Sequence, residues 1–168
     1  VKPGDRVANG GSQTLKECGV LEFLANGDFN YLTVNEDMTP REKKEIMRKR
    51  FFADDFFLSA NGVTIDGRIF QEDGASTRVA PMIYGPDNVI IIIGKNKIVD
   101  TEGQAKARIK KVAPQNCAKA GFDTPCAVDG HCHDCRVPAR SCCTSVTLNY
   151  SRIPDRIKVI IVNEDLGI

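Results

Sequence analysis

Val89-Ile90-Ile91-Ile92-Ile93, held between Asp87-Asn88 and Gly94, is the longest apolar run in this 168-residue chain. It is far short of the roughly 20 apolar residues that a membrane-spanning helix needs. It carries no polar alternation, so it reads as a strand buried on both faces, the signature of a parallel sheet covered on both sides. Working outward, Asp55–Ser59 reads as an earlier strand and Arg78–Tyr84 as a short helical turn before Gly85-Pro86. Residues Asn61–Asp66 and Arg68–Gln71 flank Asp66-Gly67, a tight hairpin signal. Downstream, Thr101 and Gln104 form a capping pair for a helix whose stripe is Ala105, Ile109 and Val112.

The rest of the chain continues the alternation. Asp5–Ala8 reads as a strand. Leu15, Cys18, Leu21 and Leu24 share one face of a following helix, which Asn26-Gly27-Asp28 stops. Phe29–Val34 predicts a second strand. Thr39-Pro40-Arg41-Glu42 is a capping box with proline at the first helical position, and Ile46, Met47 and Phe51 are that helix's inward residues. Val146–Leu148 and Lys158–Val162 close the chain as strands. Together these predict a single domain over residues 1–168: an α/β fold with a doubly wound, mainly parallel sheet, an inserted β-hairpin and a Cys-rich loop over residues 117–143.

The composition is that of an ordinary globular protein, with a formal net charge of +1. Nothing in it calls for nucleic acid, and no membrane span is expected. Without a signal-peptide pattern the expected location is cytoplasmic, although Val1 is not an initiator methionine and an upstream segment is expected to be missing. Seven cysteines, an odd number, count against a complete disulfide framework.

Ligands in doubly wound sheets gather beyond the carboxyl ends of the strands. Three loops fall there: Asn9–Thr14, Ser59–Thr64 and Gly94–Lys97. Gly10-Gly11-Ser12-Gln13-Thr14 joins strand to helix, where glycines admit a ligand to the backbone and Ser12 and Thr14 add hydroxyls. Its bland alternative is a tight turn with a serine N-cap. Arg78, Lys95 and Lys97 are the cation candidates, against a reading as solvated loop ends. Asp66, Asp73, Glu164 and Asp165 are the acidic ones, against a reading as turn caps. Only two histidines exist, His131 and His133, both in the cysteine loop. Acid–base work elsewhere therefore falls to Asp or Glu.

Cys126, Cys132, Cys135 and Cys142 are spaced x5, x2 and x6. A C-x2-C step places two sulfurs at one turn, the usual half of a zinc or iron–sulfur site. The complete spacing matches neither a ferredoxin run nor a zinc ribbon. Reduced thiols, a redox-active Cys132–Cys135 pair and a vicinal Cys142–Cys143 disulfide remain as alternatives. Cys18 reads as plain core.

Five segments together carry a resemblance: PGDRVANGGSQTL (3–15), NGVTIDG (61–67), DGASTRVAPMIYGPDNVIIIIGKNKIV (73–99), TPCAVDGHCHDC (124–135) and IKVIIVNEDLGI (157–168). The chain resembles the lactate utilization (LUD) domain family. That resemblance implies a fold like those of ribose-phosphate isomerases and CoA transferases, and an additional N-terminal helical region. It implies a role in oxidising L-lactate to pyruvate, together with iron–sulfur protein subunits. The pocket positions it implies are Gly10, Gly11, Ser12, Asn61, Thr64, Asp66, Arg78, Asn96, Lys97, Glu164 and Asp165. One departure stands next to Arg78: where the family reads DG-x-GNRVA, Ser76 and Thr77 replace glycine and asparagine. The expectation is a domain that binds a small anionic metabolite and acts with an iron–sulfur partner system. Two alternatives stay open: a non-catalytic accessory subunit, or an isomerase or transferase acting on a sugar phosphate or thioester.

Overall fold

The computed structural model describes all residues from Val1 to Ile168. Its main sheet is built from β1 (Arg6–Asn9), β2 (Asn30–Tyr31), β3 (Asp55–Leu58), β6 (Asn88–Gly94) and β9 (Ile157–Val162), all parallel, in the order β2-β1-β3-β6-β9. Numbered within the sheet, this is the 2-1-3-4-5 order of a doubly wound fold, with the topological switch between β1 and β3. The isoleucine run is β6, interior between β3 and the edge strand β9, with Ile91 opposite Leu58 and Val159. The middle strand of the five is β3.

The two faces of β6 enter separate cores, which is why the run does not alternate. Val89, Ile91 and Ile93 join Phe56 and Leu58 on one side. Ile90 and Ile92 join Val7, Phe57, Leu15 and Leu24 on the other. Leu15 and Leu24 come from α1 (Gln13–Glu17) and α2 (Val20–Asn26). The expected single helix is thus two. Gly19 sits between them at φ +71°, a left-handed conformation that no helix interior contains. The apolar spacing survives because both pieces pack on the same sheet face.

The opposite core is closed by α4 (Val79–Ile83) and by a second sheet. The expected hairpin is present as β4 (Gly62–Thr64) and β5 (Ile69–Asp73), turning through Gly67 at φ +88°. It belongs to a four-stranded sheet of order β7-β4-β5-β8, completed by β7 (Ile98–Val99) and β8 (Thr144–Leu148). Val146–Leu148 therefore closes this second sheet, antiparallel to β5, rather than the main one. Helix α5 (Glu102–Lys119) carries the expected Thr101–Gln104 capping box and packs over β4, β5 and β7.

Two further expectations change. The second strand shrinks from Phe29–Val34 to Asn30–Tyr31. Helix α3 (Pro40–Lys49) keeps its capping box but buries no residue, and Ile46 and Met47 are only half-buried. The buried side chain there is Arg50, whose Nε donates to the Leu32 carbonyl at 3.2 Å. Arg156, also buried, donates to the carbonyls of Pro81, Met82, Ile83 and Pro86, satisfying the open C-terminal end of α4. The cysteine stretch is not wholly loop, since α6 (Pro125–Asp129) lies inside it and packs on α5.

Candidate functional site

The three loops selected from the sequence converge. A cavity of about 890 Å³ opens beyond the carboxyl ends of the parallel strands, and Gly11, Ser12, Thr14, Asn61, Arg78 and Lys97 line it. Its far wall is α5 together with the segment Pro138–Cys143. The position beside the β1–β3 switch is where a sheet of this order leaves a crevice.

Lys97 dominates the electrostatics. It lies in the turn that follows β6, only 6% exposed, and no carboxylate pairs with it. Its Nζ donates to Thr14 Oγ1 at 2.7 Å and Ser59 Oγ at 3.0 Å. Two neutral hydroxyls do not compensate a buried ammonium. Burial, reinforced by the nearby Arg108 guanidinium, lowers its pKa to about 8. An anion entering the cavity would supply the missing counter-charge.

Arg78 also lines the cavity. Its Nη2 donates to the Glu72 carbonyl at 2.8 Å and lies 3.5 Å from Asp73 Oδ1. Asp73, buried, also accepts the backbone N–H groups of Arg78 and Val79 at 2.8 and 3.2 Å. The Arg78 stem lies over Gly10, where a Cβ would come within 2.7 Å of Arg78 Cγ. Gly10 thus seats Arg78 rather than facing the cavity. Ser12 Oγ accepts the Leu15 N–H, so the N-cap reading holds alongside its place in the cavity wall. Helix α1 is only five residues long, too short to bring a sizeable dipole to an anion. The positive charge at this end comes from Lys97.

Thr64, Asp66, Asn96, Glu164 and Asp165 do not line the cavity. Thr64 and Asp66 hydrogen-bond each other in the hairpin turn, and this bond, with Arg68, holds the Asp66 carboxyl below its ordinary pKa. Asn96 bridges to the backbone of Leu166, accepting its N–H at 3.2 Å and donating to its carbonyl at 3.3 Å. Glu164 and Asp165 are exposed, as is Lys95.

Sequence reasoning passed over Gln71 and Arg140, and it placed Ser59 in a candidate loop without singling it out. Gln71 is 1% exposed; its Oε1 accepts the Asn61 N–H at 3.1 Å, and its Nε2 has no partner. A polar residue at an inward position of the strand Ile69–Asp73 was the available signal. Ser59 follows directly on β3. Arg140 reaches the cavity only through tertiary packing and left no local trace.

The LUD domain family matches residues 1–162. This chain belongs to that family. The family membership expected from the five segments is borne out, and so is the α/β fold with its mainly parallel sheet. Among solved structures, a DUF162 family protein from Deinococcus radiodurans is similar at 12% identity and a TM-score of 0.43, covering 95% of this LUD chain and 88% of its own. The eIF2B beta chain from Chaetomium thermophilum is similar at 15% identity and a TM-score of 0.41, covering 62% of the LUD chain. The eIF2B delta chain from the same organism gives 20% identity, a TM-score of 0.38 and 63% coverage. The LUD chain spans 40% of the length of eIF2B beta and 46% of eIF2B delta. No curated protein matches it.

The cysteines of the LUD chain surround a second, smaller cavity of about 30 Å³, lined by Cys126, Cys132, Cys135 and Cys142 together with Cys117. All seven cysteines are free thiols. No group of three His, Cys, Asp or Glu side chains is arranged to hold a metal ion. The thiols have other partners: Cys117 pairs with Ser141 Oγ at 3.0 Å, Cys126 with Thr124 Oγ1 at 3.3 Å, and Cys143 donates to the Arg140 carbonyl at 3.1 Å. His133 Nε2 meets Asp129 Oδ2 at 2.7 Å and His131 Nδ1 meets the Asp129 carbonyl at 2.8 Å. As arranged, these side chains do not fit a zinc ion or an iron–sulfur cluster. Arg140 braces the segment, bonding the carbonyls of Cys135 and Cys142 and the carboxylate of Asp134. Cys142 lines both cavities, and burial pushes its thiol up to about 11.

Proposed function

We propose that this LUD domain binds a small anionic metabolite of lactate utilization, a 2-hydroxy or 2-oxo carboxylate, in the cavity beyond β1, β3 and β6. The observation that carries this reading is Lys97: a buried ammonium at a strand end, bonded only to hydroxyls and lining a cavity large enough for a ligand. A carboxylate seated against Lys97 gains a charge-assisted hydrogen bond and relieves an uncompensated charge. Ser12 and Thr14 add hydroxyls to the same pocket, and Asn61 lies across from them.

Oxidising L-lactate to pyruvate removes two electrons and two protons. In this reading the electrons leave to iron–sulfur protein subunits, as the family's role implies, and no step is routed through a metal at the cysteine loop.

The test is calorimetric titration of the protein with L-lactate and with pyruvate at pH 7, alongside Lys97→Met. Saturable binding that weakens at least tenfold in Lys97→Met is the expected result. Equal binding by the two proteins overturns the assignment of Lys97 as anchor.

A further inference from the structure

A three-carbon acid does not fill this cavity. L-lactate occupies roughly 100 Å³, about three times the share of one molecule of liquid water, against a cavity of about 890 Å³. The cavity walls are also unlike one another. The floor is polar, with Lys97, Thr14 and Ser59. The facing wall carries an apolar strip, Ile109, Val112 and Ala113 from α5 with Phe122 and Ala139, bordered by Asn116, Arg140 and Ser141. Ile109 is half-buried and Phe122 is 45% exposed, so apolar surface remains open to a ligand.

A second donor needs an acceptor. Gln71 Nε2 is buried beside the cavity with no partner. Turning the amide over gains nothing, because it would point the NH2 group at the Asn61 N–H, which its oxygen now accepts in a bond shared with the Phe70 carbonyl. An orphaned buried N–H is unfavourable until an acceptor reaches it. The ligand that answers all these features carries a carboxylate, a further oxygen and an apolar tail.

We infer that the cavity takes a 2-hydroxy or 2-oxo acid larger than lactate, one whose side chain is branched aliphatic or aromatic and packs on the α5 wall. The carboxylate meets Lys97, the oxygen on the second carbon is the acceptor available to Gln71, and the side chain covers Ile109 and Val112. This inference rests on the proposed role of Lys97 and adds the size and polarity of the remaining ligand.

The experiment titrates the full chain with L-lactate, 2-hydroxy-4-methylpentanoate and 3-phenyllactate at pH 7. Each methylene buried on the apolar wall is worth about fourfold in affinity, so both larger acids are expected to bind at least tenfold more tightly than L-lactate. Ile109→Ser, which makes the wall polar, is expected to shrink that ratio at least threefold. L-lactate binding as tightly as the larger acids overturns the inference. So does an unchanged ratio in Ile109→Ser. The role of Lys97 fails separately: there Lys97→Met binds every acid as the unaltered protein does, whatever the size preference. Absence of binding by all three acids overturns both.

Discussion

Two side chains in this fold are held at the edge of what their surroundings tolerate. Lys97 is the first. Its pKa falls from 10.5 to about 8 in the folded chain, so folding disfavours its charged form. Below pH 8 the folded and unfolded chains both hold the proton, and the penalty on stability is present in full. Between about 8 and 10.5 the unfolded chain keeps the proton that the folded chain has released, so this contribution to stability rises with pH. Lys97→Met is therefore expected to be the more stable protein at pH 7, with its advantage shrinking by on the order of 3 kcal/mol towards pH 10.5. Urea melts of both proteins across that range provide the check, and a pH-independent difference contradicts the assignment. Anion affinity should run the other way, weakening above pH 8 as the ammonium is lost. Ser76 is the second such residue. It stands at φ +60°, and its hydroxyl meets Thr144 Oγ1 at 2.7 Å. The left-handed conformation disfavours a non-glycine residue by about 1–2 kcal/mol, and the hydrogen bond returns about 1 kcal/mol. Ser76→Ala keeps the strain and drops the bond, so it is expected to lose about 1 kcal/mol. Ser76→Gly drops both and should lie closer to the unaltered protein; equal losses in the two variants would show that no strain is present.

At the scale of elements, the site depends on how β6 ends. A Cβ on Gly94 would lie 2.6 Å from Asn96 Oδ1, the Glu164 carbonyl oxygen and the Leu166 N. Two of these atoms are backbone and cannot swing aside. Gly94→Ala is thus expected to lose about 1–3 kcal/mol by overpacking. It should also weaken ligand binding, because the segment through Gly167 rests against Thr14 and Lys97. Chemical denaturation of the variant measures the first effect, and a change within 0.5 kcal/mol, the usual range for surface substitutions, argues against it. Strand β6 is also where the sequence spoke most clearly. An apolar run without alternation has few ways to be satisfied, and the loops after β1, β3 and β6 follow once the sheet is parallel. The hairpin at Gly67 was equally legible, because its turn chemistry is local. The break at Gly19 was hidden, since Leu15, Cys18, Leu21 and Leu24 keep their spacing across it. The pairing of β8 with β5 joins Thr144 to Asp73 and leaves no local signal. Arg140 enters the cavity only through that distant pairing and the packing around it, so the Pro138–Cys143 part of the wall was invisible to motif reasoning.

At the scale of the whole molecule, the main sheet and the second sheet share one core, while the thiols occupy the rim. Accessibility then orders their chemistry. Cys132 and Cys143 are exposed, Cys117 and Cys126 are buried, and Cys142 is half-buried with its thiol held up near 11. Thiolate is the reactive form, so a maleimide reagent at pH 7 is expected to label Cys132 and Cys143 first and Cys117, Cys126 and Cys142 only slowly. Mass spectrometry of a labelling time course reads this order directly; early labelling of Cys142 would contradict its burial. Cys142 nevertheless has the larger cavity on one side and the thiol-lined cavity on the other. A molecule filling the larger chamber shields this sulfur without touching the other four that ring the smaller one. The pace of alkylation at this single sulfur is therefore expected to fall when the larger cavity fills, an occupancy reading that needs no turnover.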